Sequence, residues 1–406
     1  MTSINISAKK RIAVFFGGRS PEHDVSIVTG LQVLAALDQS RYEVFPVYVT
    51  TDGVWLTGDV LRHKGNYMLD ANNRAACREV FLDVTTGRGG RLMPKKTGLF
   101  GGKEIEFDVA IPAFHGLYGE DGNMQGVFET VGAAYAGMRT MASAILMDKA
   151  VTKMAMVGLG IPVLPWAVLT RPAEGFFIPA DVIEATLRAS RISFPCILKP
   201  SHLGSSIGVA KVNNAEEISA CLPAIFEYDG VAIVEPFVPN LVEYNVAVSK
   251  VFGETRTSAI ERPKTTQELL DFKEKYLSNA GKGGKKTGTS GSEGMLSLTR
   301  DINPAMDARM EHNIRDWAMR MFAGLRGTGA PRIDFIGNSK SGEIWLNEVN
   351  PCPGSFGYFL WEAAAAPVLF SEFLTAMVEE ALLERRKTIL PKDPVPMAAR
   401  LHRRPG

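Results

Sequence analysis

Little in this sequence is extreme. Only four of its 406 residues are cysteine. Cys77, Cys196, Cys221 and Cys352 lie far apart, form no CxxC pair and stand at no zinc-ligand spacing from a histidine, so they read as free thiols of a reducing compartment. Neither sign of charge is in excess: 45 basic against 44 acidic residues leave +1. That gives no global footprint for nucleic acid or an anionic membrane surface, and an anionic ligand would have to be held locally. No apolar run approaches the roughly 18 residues of a membrane span, and residues 12–16, behind Lys9, Lys10 and Arg11, are too short for a signal-peptide core. A cytoplasmic protein is expected. There is no internal repeat. What remains is an ordinary globular composition, 46% hydrophobic and 22% charged, long enough for two or three domains.

Residues 11–16 read as a buried strand ending at Gly17-Gly18, followed by a helical pattern over 25–37 and a strand over 42–49, the βαβ opening of a doubly wound sheet. The stretch 57–103 is turn-rich and reads as an insertion before a strand at 107–114; a helix starts near Asn123. A second unit has helical spacing over 144–157, stopped by Gly158 and Gly160. Strands at 194–199, 209–212 and 231–236 and a helix at 215–226 complete a small α+β domain. The third unit has strands near 243–252, 331–336 and 344–349 and a closing helix at 367–386. Residues 281–294, rich in glycine and lysine, read as a mobile loop or lid. The Pro- and Arg-rich tail after Leu390 is expected to order only by docking.

Lys199 closes an apolar strand and is followed within nine residues by Gly204, Ser205, Ser206 and Gly208. Such a turn offers backbone N–H groups and hydroxyls to phosphate oxygens, with the lysine as a point charge. The lysine precedes the loop, so this is not the GxxxxGK[ST] pattern, and on spacing alone a plain hairpin turn fits equally. Asp334, Glu348 and Asn350 lie on two predicted strands. Glu348 and Asn350 are two apart and share a face. Two carboxylates and an amide supply the hard oxygens Mg²⁺ takes when it also holds nucleotide phosphates, although strand-end polar residues can be merely solvated. Arg332 faces the same side as Asp334 and could stabilise a developing oxyanion. HGLYGEDG (115–122) and GGRSPEHDVS (17–26) each follow a strand, where α/β sheets tend to bind ligands; a structural turn is the alternative at each.

Taken in order, GGRSPEHDVS (17–26), HGLYGEDGNMQG (115–126), MDK (147–149), GIPVLPW (160–166), FPCILKPSHLGSSIGVAKV (194–212), DFKEKYLS (271–278), RIDF (332–335) and NEVNPCPG (347–354) resemble the D-alanine–D-alanine ligase family of ATP-grasp enzymes. The resemblance covers most of residues 11–370. It implies an α/β and α+β fold of three domains. These are a Rossmann-like substrate domain (1–139, insertion at 57–103), a central ATP-grasp subdomain (140–234) and a C-terminal one (235–387, lid 271–294), before a tail (388–406). It implies ATP with two Mg²⁺ or Mn²⁺ ions, a homodimer, and no nucleic-acid or membrane partner. The implied reaction phosphorylates one D-alanine carboxylate, then lets the amine of a second attack the acyl phosphate, for peptidoglycan precursors.

By the same resemblance Lys149 and Lys199 hold ATP phosphates, with Ser205 and Ser206 in the phosphate loop. Glu235 reads the adenine amino group, with main-chain contacts from Phe237 and Val238. Glu243 takes the ribose hydroxyls, one residue further on than the family spacing. Asp334, Glu348 and Asn350 match metal ligands, and Arg332 and the backbone N–H of Gly354 match oxyanion stabilisers. Glu22 matches the acid on the first substrate's ammonium and His115 the histidine of the substrate pocket. Lys275 and Tyr276 fall on the lid pair, the tyrosine linking to Ser205 and Glu22; a tyrosine there goes with an amine acceptor.

Three departures stand out. Where the family reads NTxPGFT and then a serine that helps bind the second substrate's carboxylate, ungapped counting puts Phe359. The lid is extended, with Lys282, Lys285 and Lys286. The insertion and tail lengthen the chain. A ligase of the same kind with a different amine acceptor is therefore the closest alternative. A nucleotide-binding protein without turnover is the third reading.

Overall fold

The computed structural model describes residues 9–67, 71–96, 102–204, 207–264, 300–391 and 393–401. Three sheets carry the fold. The first comprises β1 (Lys10–Gly17), β2 (Tyr42–Val49), β3 (Trp55–Thr57), β4 (Arg78–Leu82), β5 (Gly90–Pro94), β6 (Ile105–Phe107), β7 (Val109–Pro112) and β8 (Ala134–Tyr135), in the order β6-β5-β4-β3-β2-β1-β7-β8. Its β2-β1-β7-β8 half is parallel. A parallel strand covered on both faces is apolar throughout, and residues 12–16 are all fully buried. Ile12, Val14 and Phe16 meet the helices His23–Ala36 and Phe370–Lys387, while Ala13 and Phe15 pack against Phe114 and Phe128 on the other face. The closing helix of the chain thus returns to cover the first sheet.

The turn-rich 57–103 stretch contains strands, the antiparallel half β3 to β5. They are three to five residues long, so an alternation such as buried Val80 and Leu82 about exposed Phe81 repeats too few times to stand out from the turns around it.

The second sheet, β9 (Ala167–Thr170), β10 (Cys196–Pro200), β11 (Ala210–Val212) and β12 (Val231–Pro236), is antiparallel in the order β11-β10-β12-β9. It packs on the helices Ala180–Ala189 and Ala215–Phe226. The third, β13 (Leu241–Ser249), β14 (Arg256–Pro263), β15 (Arg300–Ile302), β16 (Arg332–Asn338) and β17 (Ile344–Asn350), runs β15-β14-β13-β16-β17. One of its faces buries Tyr244, Val246, Ile333, Phe335 and Leu346 against the helix Ala308–Gly324 and the helical pair after Met138. That pair was expected as one helix. Asp148 breaks it, standing in extended backbone and accepting from the N–H groups of Ala150 and Val151 to cap the second helix, Lys149–Gly158. Among the described residues no helix is long and apolar enough to cross a membrane.

Candidate functional site

The second face of the third sheet is polar. Along β16, Ile333 and Phe335 are buried in the core while Arg332 and Asp334 alternate to the opposite side. The register sets Asp334 between Glu348 and Asn245, and Asn245 opposite Glu261. Directly paired residues share a face, so Glu348, Asp334, Asn245 and Glu261 form one row across four strands. Arg332 holds Asp334 through two bonds of 2.7 and 2.6 Å, and Asn350 Nδ2 donates to the same carboxylate at 3.0 Å. Asn245 Nδ2 donates to the buried Glu261 at 2.7 Å.

Pairing slips between Asp334 and Phe335, where Glu348 and Leu346 are the partners. The extra residue is Asn347; alternation continued from buried Ile344 and Leu346 would send the next residue, Glu348, to the core. The bulge lets Asn347 and Glu348 both stand on the polar face, where Asn347 Oδ1 accepts from Lys199 Nζ at 2.9 Å.

Lys199, at the end of β10, and Lys153, one helical turn after Lys149, both form ion pairs with Glu235, at 2.7 and 2.5 Å. All three are buried. Burial alone would raise the Glu235 carboxyl; Lys199 and Lys153 outweigh it and hold the carboxyl at about 2, while burial pulls Lys153 below the ordinary lysine range. Two ammonium groups on one carboxylate leave a local excess of positive charge. Glu235 therefore presents its side chain to lysines. Beyond Pro236, Phe237 gives its N–H to Pro195 O at 3.1 Å and lies under the Lys211 ammonium at 4.0 Å, and Val238 is buried. Glu243 stands two before Asn245, on the same face of β13.

Lys149 Nζ donates to Leu203 O at 2.7 Å and lies 3.4 Å from Glu348, joining the polar row to the glycine-rich turn. That turn is pinned from below by His202, which meets Asp229 at 2.8 Å and Asp148 at 3.1 Å. Its hydrogen bonds to Asp148 and then Asp229 lift the imidazole to about 9. The turn joins β10 to antiparallel β11, so the chain on either side of it pairs as a hairpin. Ser205 and Ser206, with Lys275, Tyr276 and the lid 271–294, lie outside the described residues.

The first domain supplies Glu22. Its carboxylate sits against Gly204 and Gly116 so closely that a Cβ on either would come within 3.0 Å. Gly116, at φ +76, would also place a Cβ 2.2 Å from Ser20 Oγ; only glycine fits. Next to it His115 is buried, bonded to Thr29 Oγ1 at 2.8 Å and to the Cys352 backbone. Desolvation pushes it down to about 4, so it is neutral at pH 7. Glu120, missed in the sequence, accepts from the N–H groups of Gly116 (2.7 Å) and Cys352 (3.1 Å), and burial, then the Glu22 charge, lift it to about 8. The segment after β17 is thus fastened to the first domain. Gly354 opens a tight turn in which Ser355 and Phe356 both take left-handed backbone, φ 51 and 54, a strain typical of functional loops. Ser355 is anchored by its N–H on Thr29 at 3.1 Å and by its hydroxyl on Gln32.

Among the described residues no three His, Cys, Asp or Glu gather as a metal cluster, but Asp334 and Glu348 with Asn350 bring two carboxylates and an amide to one face, a hard-oxygen set suited to Mg²⁺. Which end of the Asn350 amide faces them is set by what it bonds.

Family models described as the D-ala D-ala ligase N-terminus and C-terminus match residues 11–138 and 155–379. The chain belongs to the D-alanine–D-alanine ligase family. It is thus a ligase that forms a C–N bond using ATP. The D-alanine–D-alanine ligase of Thermosipho africanus is 31% identical over 94% of this chain and 96% of that one, and D-alanine–D-alanine ligase A of Bradyrhizobium diazoefficiens 32% over 93% and 96%. The D-alanine-D-alanine ligase structure from Coxiella burnetii superposes with a TM-score of 0.72 at 22% identity, covering 94% of this chain and 96% of its own, and so shares the ATP-grasp fold. The VanG D-Ala:D-Ser ligase from Enterococcus faecalis gives 0.70 at 25% identity, covering 92% and 100%. Family membership accounts for the ordered motifs, and the bulge at Asn347 and the Lys153–Glu235–Lys199 cluster add what they did not mark.

Proposed function

We propose that this enzyme makes D-alanyl-D-alanine for peptidoglycan precursors. One D-alanine carboxylate oxygen attacks the γ-phosphorus of ATP and releases ADP. The amine of a second D-alanine then attacks the acyl phosphate, losing a proton and expelling phosphate. The observation that carries this reading is the convergence of Asp334, Glu348 and Asn350 with Lys149 and Lys199 at the mouth of a glycine-rich turn, with Glu22 of another domain against that turn. A carboxylate is a poor electrophile until phosphorylated, and the reaction then needs positive charge more than covalent chemistry.

In this reading Lys149, Lys199, Ser205 and Ser206 hold the phosphates, residues 235–238 the base and Glu243 the ribose. Asp334, Glu348 and Asn350 would hold Mg²⁺, in the family two ions, which neutralise the phosphate oxygens when bound. Glu22 takes the first ammonium, and neutral His115 orients the first substrate without adding a charge. Arg332 and the Gly354 N–H receive the oxyanion. Lys275 and Tyr276 close the site. A cytoplasmic homodimer completes the reading, with sedimentation to test the dimer.

The test is ADP release with ATP, Mg²⁺ and D-alanine alone, then with a panel of amines, products identified by mass. The dipeptide from D-alanine alone is expected. Turnover only with another amine would establish the second reading, which Phe359 in place of the family serine favours; ATP binding without turnover would leave a binding protein.

A further inference from the structure

We infer that Arg300 is the residue that recognises the carboxylate of the acceptor amino acid; this rests on the ligase reading. Arg300 starts β15 and reaches the buried end of the polar row. Its Nη1 donates to Glu261 at 2.8 Å, and Glu261 is joined through Asn245 to the strand position opposite Asp334. The guanidinium carbon lies 4.7 Å from the centre of the Phe359 ring. Its Nε is buried with no partner among the described residues, and the side chain keeps 25% of its surface open. Glu261 thus takes Nη1, while Nε, which no described residue answers, belongs to the other edge of the guanidinium, the kind that grips a carboxylate with two parallel bonds.

The other cations of the site are engaged: Lys153 and Lys199 on Glu235, Lys149 on Leu203 O and Glu348, Arg332 on Asp334 with two bonds. Buried guanidinium Nε atoms without a partner also occur at Arg139 and Arg256, but Arg300 is the one bonded to the row that carries Asp334. An amino acid that offers its amine to the acyl phosphate brings a carboxylate that cannot be buried unpaired. Phe359 cannot bond it. As a flat wall the ring instead holds the guanidinium plane and excludes water.

The test compares D-alanine with D-alaninamide as acceptors, D-alanine serving as donor, in the wild type, Arg300→Met and Arg300→Lys, which keeps a cation for Glu261. The wild type should prefer the carboxylate by roughly a hundredfold or more in kcat/KM. Arg300→Met should bring the ratio to near unity through acceptor KM, with KM for ATP unmoved, and Arg300→Lys should fall between. An unchanged ratio in folded Arg300→Met overturns the assignment while the ligase reading stands. If the wild type makes no peptide, that reading fails, and thermal shifts with ATP decide on Arg300 alone. Extra stabilisation by D-alanine over D-alaninamide that is lost in Arg300→Met upholds it; equal shifts in both proteins overturn it.

Discussion

Asn347 accepts from the Lys199 ammonium at 2.9 Å across 148 residues of sequence, because the slip in pairing between β16 and β17 puts Asn347 on the same face as Glu348. The lysine is held between this amide and Glu235, pre-set rather than free to swing. Replacing Asn347 with Leu removes one bond to a charged donor, worth about 1.5–3 kcal/mol. The melting temperature should fall by a few degrees and KM for ATP should rise by roughly 10-fold or more, as calorimetry and steady-state kinetics would show.

Glu235→Gln should cost far more stability. It leaves Lys153 and Lys199 without a counter-charge in a buried site, a loss of about 3–5 kcal/mol, read by urea unfolding at pH 7. The folded carboxyl stands at about 2, below its ordinary range near 4.3. Its contribution is therefore complete above that range and disappears as pH falls towards 2. The gap between wild type and variant should narrow on the acid side.

Two histidines should tilt the stability curve in opposite directions. His115, held down at about 4 by burial, stabilises above the ordinary value near 6.5, and that contribution is lost as pH falls through 4. His202, raised to about 9 by Asp148 and Asp229, stabilises below 6.5 and is lost as pH rises through 9. His115→Asn should flatten the acid limb by on the order of 2 kcal/mol, and His202→Asn the alkaline limb by about as much. A melting series from pH 4 to pH 10 distinguishes them.

Gly116→Ala puts a methyl 2.2 Å from Ser20 Oγ and 3.0 Å from Glu22 at a backbone angle glycine alone tolerates. A loss of about 1–3 kcal/mol is expected. As Glu22 is displaced, the activity lost at saturating ATP should exceed what the drop in stability explains.

Glu348→Ala should impair ligation through metal affinity. ADP release at low Mg²⁺ should vanish and recover partly at high concentrations; an unchanged rate at low Mg²⁺ rejects the ligand assignment.

The sequence displayed what is periodic or polar in an apolar setting. The β1 run, the helix Ala215–Phe226 and the strands bearing Asp334 and Glu348 were readable because burial on one or both faces writes itself into alternation. The strand Arg256–Pro263 and the helix Ala308–Gly324 were passed over; the helix mixes Arg, Glu, His and Asp among its buried Ile314, Ala318 and Met321. Lys153 had a signal in its one-turn spacing from Lys149, but a lysine on a helix ordinarily means a solvated face, and burial was visible only once Glu235 stood opposite. Asn347 alternates with buried Ile344 and Leu346, but that it shares a face with its neighbour Glu348 had no signal, since a bulge reverses the parity on which strand arguments depend. Glu120 sat within a recognised motif, yet its partner Cys352 is 232 residues away.

The left-handed pair Ser355 and Phe356 belongs by sequence to the C-terminal domain but is bolted to Thr29 and Gln32 of the N-terminal one. The shape of this loop is consequently not a portable property of either half. A chimera that exchanges the C-terminal domain between two ligases of different specificity would bring the loop without its moorings, and the loop's shape would relax. Only exchanges that carry the helix His23–Ala36 along with residues 351–361 would keep the loop and its moorings together.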